Sequence, residues 1–172
     1  MPDQTYNVLF LCTGNSVRSI LGEALMNKMG GGRFRAYSAG SQPKGEVHPM
    51  SLEVLDSFGY PTDGLRSKNW SEFTKPGAPE FDFIFTVCDN AAGESCPVWP
   101  GKPLTAHWGV EDPAAVEGDG QRQAFVDALS YLKRRIELFL MLPLPSIDEM
   151  SVRSKLAAIG REEGASAKAK ES

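Results

Sequence analysis

Apolar residues change period several times along this chain, and each change predicts an element. Residues 6–12 (YNVLFLC) are a continuous apolar run that stops at Gly14, the pattern of a buried strand in a parallel sheet. Val17, Ile20, Leu21, Ala24, Leu25 and Met29 then recur at helical spacing, and three glycines at 30–32 end the helix predicted over 17–29. A second strand is predicted over 34–39, followed by a loop with Gly40, Pro43 and Gly45. A helix over 50–58 comes next, with His48 and Pro49 at its start and Gly59 behind it. Residues 65–73 read as irregular or as a short helix. The run FDFIFTV at 81–87 predicts a third strand that leads directly into Cys88. Residues 89–101 read as a loop punctuated by Gly93, Pro97, Pro100 and Gly101, residues 104–108 as a fourth strand, and 109–113 as a turn. The longest amphipathic pattern, 121–142, sets Phe125, Leu129, Leu132, Ile136, Phe139 and Leu140 on one helical face.

This order predicts an α/β fold, a four-stranded parallel sheet flanked by helices and doubly wound. Ligands of such sheets bind beyond the carboxyl ends of the strands. Cys12, Cys88 and the 109–113 turn each follow a strand, so topology alone predicts that they gather at one edge. The main domain is expected over 1–142. Residues 143–172 read as a helical extension: Ser146 is expected to cap a short helix over 147–159, and 160–172, rich in Ala, Lys, Glu and Ser, is expected to be a frayed tail.

Composition narrows the class. The chain has 172 residues, 41% hydrophobic and 23% charged, which suits one globular domain with a substantial core. Its net charge of −4 and the absence of a basic cluster argue against nucleic acid as a partner. No apolar run reaches membrane-spanning length, and the first six residues lack the features of a signal peptide, so a cytoplasmic protein without a membrane partner is expected. Three cysteines are too few and too oddly numbered for a disulfide scaffold. No Cys-x2-Cys pair occurs, and His48 and His107 lie at no ligand spacing to a cysteine, so no zinc site is expected.

The stretch Cys12-Thr13-Gly14-Asn15-Ser16-Val17-Arg18-Ser19 carries the chemistry. A cysteine at a strand end is, taken alone, a small buried hydrophobe. Here it follows a strand, opens a small polar loop and precedes a helix. That combination closes backbone N–H groups and an arginine around a tetrahedral oxyanion and favours thiolate over thiol. Cys12 is then the nucleophile and Arg18 the anion-orienting group, with Thr13, Gly14, Asn15, Ser16, Val17 and Ser19 completing the substrate cradle. Gly14 allows a tight bend, Asn15 ties the loop into shape, and Ser19 is a candidate hydrogen-bond partner for the Cys12 sulfur. Displacing an oxygen from the anion needs a proton. Asp112, stiffened by Pro113, is the first candidate to supply it and Glu111 the second, although Asp-Pro alone is an ordinary turn dipeptide. Cys88 and Cys96 are either one core and one loop cysteine or a resolving pair, in which Cys88 attacks a Cys12 adduct and Cys96 then attacks the resulting disulfide. His48 reads as a helix cap, and His107 as a structural residue near the site. Trp70, Trp99 and Trp108 fit either core or rim.

The cradle, Cys88…Cys96-Pro97, Ser38-Ala39-Gly40 and His107-Trp108-Gly109-Val110-Glu111-Asp112-Pro113-Ala114 together resemble the arsenate reductases built on the low-molecular-weight protein tyrosine phosphatase fold, over residues 6–142. The resemblance implies that Cys12 attacks arsenate, that Asp112 protonates the departing hydroxide, and that Cys88 releases arsenite and leaves a Cys12–Cys88 disulfide. Cys96 then takes over that bridge, and thioredoxin or glutaredoxin reduces it. The 88–96 spacing is one residue longer than in the usual thioredoxin-coupled form, and Val17 stands where many relatives have a further cysteine. No tightly bound cofactor is implied beyond a possible potassium ion, for which Asn15, Glu23 and Ser38 match three ligands and Glu72 stands at the fourth. The alternatives are a phosphatase using only Cys12, Arg18 and Asp112, and a non-enzymatic oxyanion or redox sensor. Ala114-Ala115-Val116 after the Asp-Pro, where such phosphatases tend to carry aromatics, disfavours phosphotyrosine.

Overall fold

A computed structural model describes residues 5–89, 91, 99 and 101–171. Four strands, β1 (Tyr6–Leu11), β2 (Phe34–Ala39), β3 (Phe83–Thr86) and β4 (Leu104–His107), form one parallel sheet in the order β2-β1-β3-β4. The chain therefore winds one way from β1 to β2 and the other way to β3. The switch point of the sheet lies between β1 and β3. Leu11 pairs with Ala39 on one side and Thr86 on the other, and Thr86 pairs with His107. The carboxyl ends are thus level, and Cys12, Cys88 and residues 109–112 leave the sheet at the same edge, as the topology predicts.

The continuous apolar run of β1 is explained by burial on both faces. Val8 and Phe10 join a large cluster with Ile20, Leu21, Phe85, Phe125, Leu129 and Phe139; Leu9 and Leu11 join a smaller one with Ala39, Phe73, Phe81 and Ile84. Helices α1 (Arg18–Met29), α2 (Pro49–Ser57), α3 (Gln121–Leu140) and α4 (Glu149–Gly160) all contribute to the large cluster. Among the described residues the opposite face is covered by the 3-10 turn Trp70–Phe73, by Phe81 and by Trp99. The segment expected to be irregular or a short helix is this 3-10 turn. His48 caps α2 as expected, its Nδ1 accepting from the Met50 N–H at 3.0 Å. Trp108 is a core residue, stacked on Phe85 with ring centroids 3.7 Å apart.

The C-terminal region departs from expectation. Asp148, not Ser146, caps α4 by accepting from the Ser151 N–H, because 144–146 turn as a 3-10 segment first. Leu144, Val152, Leu156 and Ile159 enter the same core as the sheet, and the Trp108 indole donates to the Leu156 carbonyl. Nor is the stretch after Gly160 frayed. Ala165, Ser166 and Ala169 are buried, Ala165 bridges antiparallel to Val110, and a short helix α5 (Ala167–Glu171) follows. Small residues that look solvated in sequence are here the ones that permit close packing against 107–110.

Candidate active site

The cradle is held open from behind. Asn15 sits at φ 45°, a left-handed conformation that asparagine tolerates better than most residues. Its fully buried side chain donates to Ser19 Oγ at 2.8 Å and Ser38 Oγ at 3.0 Å and accepts from the Lys68 N–H at 2.9 Å. The loop carbonyls are satisfied from outside: Thr13 accepts from the Gln42 N–H, Gly14 from the Lys44 N–H and the Ser67 hydroxyl, and Ser16 from the His48 N–H and the Ser51 hydroxyl. Gly40 lies against the Cys12 and Thr13 carbonyls so closely that a Cβ there would overlap both. By contrast, no acceptor among the described residues takes the backbone N–H groups of Asn15, Ser16, Val17 and Arg18, and α1 has no side-chain cap. Free donors at a helix start are an anion site.

Arg18 supports the same reading. Its Nη1 donates to the Val110 carbonyl at 2.9 Å, its Nη2 lies 3.9 Å from Asp112 Oδ2, and its Nε is buried with no hydrogen-bond partner among the described residues. A buried guanidinium nitrogen left unpaired is costly, and a bound oxyanion removes that cost. A pocket of about 290 Å³ is lined by residues 12–18 together with Gln42, Lys44, Cys88, Asp112 and Ala114. Ser19 does not line it. The hydroxyl of Ser19 is engaged by Asn15 rather than by the Cys12 sulfur, so Ser19 supports the loop from below.

The second thiol is inside this pocket. Cys88 Sγ accepts from the Thr13 N–H at 3.3 Å and the Ala91 N–H at 3.4 Å, and it lines the same pocket as Cys12. Both cysteines are buried and unbridged. The neighbouring Cys12 thiol and the two amide donors draw the Cys88 thiol well below its ordinary value, against the effect of burial. The neighbouring Cys88 sulfur and burial push Cys12 up, opposed by the Arg18 charge. The two thiols are pushed in opposite directions, which favours Cys88 as the thiolate. Cys96 lies outside the described residues.

Asp112 reaches the pocket from the loop after β4. Its Oδ1 accepts from the Ala114 N–H at 3.0 Å, fixing the carboxyl at the start of the turn Pro113–Ala115. Oδ2 faces Arg18. Glu111 is exposed and does not line the pocket.

Asn15, Glu23 and Ser38 do come together, since Ser38 donates to Glu23 and accepts from Asn15. The cation at this cluster is the ammonium of Lys68, buried, 3.5 Å from Ser38 Oγ and 3.8 Å from Glu23 Oε1. Burial pushes Lys68 down and Glu23 up, and each charge partly restores the other. Glu72 is elsewhere, in a bidentate pair with Arg66. The donor set suits a monovalent cation, but a lysine occupies the position, so the residues present do not fit a potassium ion.

The model of the low molecular weight phosphotyrosine protein phosphatase family matches residues 7–153. The chain belongs to this family. Among its relatives, an arsenate reductase of Halalkalibacterium halodurans is 31% identical over 134 residues, which are 77% of this chain and 93% of that protein. An arsenate reductase solved in its phosphate-binding state superposes with a TM-score of 0.65 at 26% identity, covering 79% of this chain and 97% of that one. A thioredoxin-dependent arsenate reductase of Corynebacterium glutamicum shares the fold, with a TM-score of 0.56 at 24% identity over 81% of this chain and 65% of its own.

Sequence reasoning missed Lys44, Gln42 and Lys68. Lysines in loops carry no periodic signal, and only the fold shows which of them turns toward a carboxylate or an anion. It also missed Asp89, which follows Cys88.

Proposed function

We propose that this chain is an arsenate reductase that uses Cys12 and Cys88 in sequence. The observation that carries the reading is the Cys88 sulfur at the oxyanion pocket beside Cys12, hydrogen-bonded to the Thr13 amide. A phosphatase needs the cradle and the acid but has no use for a second thiol there. Among the described lining residues there is also no aromatic side chain to hold a phosphotyrosine ring.

The geometry around Cys12, Arg18, Asp112 and Cys88 supports the following reaction. Arsenate is held by the free amides of 15–18 and by Arg18, with Lys44 adding positive charge at the pocket. A proton passes from Cys12 to the Cys88 thiolate, and the Cys12 thiolate forms a bond to arsenic. Asp112 gives a proton to the departing oxygen, which leaves as water. Cys88 then bonds to the Cys12 sulfur. The sulfur–arsenic bond breaks with its electron pair going to arsenic, and the Cys88 proton goes to an arsenite oxygen. Two thiols are oxidised to one disulfide, and arsenic(V) is reduced to arsenic(III). Cys96 attacks Cys88 to regenerate Cys12, and a dithiol reductant, thioredoxin rather than glutaredoxin on the resemblance to thioredoxin-coupled enzymes, reduces the last bridge. This cycle needs reduced thiols and so suits the cytoplasm. Among the described residues no helix is long and apolar enough to cross a membrane. No step is assigned to a potassium ion, whose place the Lys68 ammonium takes.

The test is arsenite production from arsenate with thioredoxin, thioredoxin reductase and NADPH. Turnover is expected for the wild type and is lost in Cys12→Ser, Cys88→Ser and Cys96→Ser. Hydrolysis of p-nitrophenyl phosphate, where it occurs, survives loss of Cys88 and is lost with Cys12. Arsenite turnover that persists in Cys88→Ser overturns the reading.

A further inference from the structure

The family match ends at residue 153, yet the residues that follow return to the active edge. Arg135 of α3, fully buried, donates to the Glu162 and Glu163 carbonyls at 3.0 and 3.1 Å and so fixes where the chain turns back. Gly164, at φ 86° and packed on the Tyr131 ring, makes the turn. Ala165 then bridges to Val110, and the Ser166 N–H donates to the Gly109 carbonyl at 2.9 Å. Gly109 is needed there, because a Cβ would strike Ser166 Oγ and the His107 ring.

What this segment grips is Asp89, the residue next to Cys88. Asp89 Oδ1 accepts from the Ser166 hydroxyl and from His107 Nε2, the latter at 2.7 Å, while Oδ2 accepts from the Lys168 N–H at 3.2 Å. His107 is held in turn through Nδ1 by Thr86, whose hydroxyl lies at 2.7 Å. Burial works against the Asp89 carboxylate, and the donors from Ser166, His107 and Lys168 outweigh it, so the group stays ionised at working pH. The same segment lies against Val110, whose carbonyl positions Arg18.

We propose that residues 160–170 are a positioning brace for the second thiol: Ser166 and the Lys168 amide, through Asp89, fix the backbone at Cys88 so that its sulfur stays in the Cys12 pocket. Ser166 and Asp89 are positioning residues and touch no substrate. The brace acts on the Cys88 step, in which the sulfur–sulfur bond forms and arsenic leaves with its electron pair. The Ser166 and Asp89 side chains make no hydrogen bond to the cradle's donors, so changing them leaves oxyanion binding, and the Ala165–Val110 bridge behind Arg18, in place.

The inference rests on the arsenate reductase reading, and the experiment separates the two. Ser166→Ala removes the hydroxyl donor to Asp89, and Asp89→Asn keeps the shape but removes the charge. In each, three quantities are measured: phosphate affinity by titration calorimetry, the single-turnover rate of Cys12–Cys88 disulfide formation with arsenate, and, in a Cys12→Ser, Cys96→Ser background, the rate at which iodoacetamide alkylates Cys88. Loss of a hydrogen bond to a charged group is expected to slow disulfide formation about tenfold and to speed Cys88 alkylation about tenfold, with phosphate affinity unchanged. Wild-type rates of disulfide formation and alkylation in both variants overturn the brace. A fall in phosphate affinity equal to the fall in rate also overturns it, since that marks general unfolding. If the wild type forms no disulfide with arsenate, the reductase reading fails, and the alkylation rates still decide whether the segment holds Cys88.

Discussion

Replacing Lys68 with methionine removes a buried cation from beneath the oxyanion loop without touching the pocket. The ammonium is 3.8 Å from Glu23 Oε1, and both side chains are largely buried. At an effective dielectric constant of about 20, that pair is worth about 4 kcal/mol of Coulomb energy. Glu23 already tends toward the protonated state because of its burial, so part of the loss is relieved by proton uptake. A net destabilisation of about 3 kcal/mol is expected, in line with breaking a buried pair, and a fall in Tm of about 6–12 °C for a chain of this size. The loss falls on Ser38 and Asn15 as well, because both share the cluster, and Asn15 sets the left-handed turn of the cradle. Thermal denaturation of the wild type is expected to be the same in sodium and in potassium chloride at equal ionic strength, as is turnover. Lys68→Ala, which leaves Glu23, Ser38 and Asn15 around an unfilled place, is expected to gain Tm on addition of potassium. Strong stimulation of the wild type by potassium, or a variant as stable as the wild type without it, refutes the assignment of Lys68 as the internal cation.

Gly40→Ala forces a Cβ against the Cys12 and Thr13 carbonyls, which are backbone atoms and can move only with the loop. A displacement of this kind at the nucleophile is expected to cost about a hundredfold in kcat/KM, with the Cys88 thiol still present by alkylation. In a Cys96→Ser background, thiolate absorbance near 240 nm is expected to rise as pH passes through about 5, where the lowered Cys88 group ionises, with the remaining proton of the pair retained far above the ordinary cysteine range. The sign is that of an acid stabilised as its anion, so the thiolate is present above this value and lost below it. Cys12→Ala removes the largest cause of the lowering and is expected to move the Cys88 step upward; an unchanged titration refutes the influence of Cys12 on Cys88.

The sheet and the placement of the chemistry were legible because parallel strands buried on both faces leave long apolar runs. The runs at 6–12 and 81–87 located β1 and β3 to within one or two residues at each end, and with them the switch point and the two thiols beside it. The residues that hold the site together were much less legible. Asn15 was marked by its type in a tight loop, but its contact with Lys68 spans more than fifty positions and has no local signature. Residues 160–172 were misread for a physical reason. Small residues set among six charged ones present too little apolar surface to signal burial, and the segment orders here because a guanidinium fixes its carbonyls and a carboxylate takes its hydroxyl and amide.

The family's cradle and acid are indifferent to what becomes of the covalent adduct, since a tetrahedral anion bound by amides and one guanidinium is the same problem for phosphorus and arsenic. What separates hydrolysis from reduction is whether water or a thiol reaches the adduct first. In this chain β3 runs in register with β1 and ends one residue before the level of Cys12, so the next turn delivers Cys88 against the Thr13 amide. That placement makes the thiol the nearer nucleophile by construction. It also makes the outcome depend on how firmly the backbone at Cys88 is held, because a sulfur that strays leaves its place to solvent. A carboxylate at 89 bound by three donors, two of them from beyond the span that the family model matches, is the kind of anchor such a competition demands.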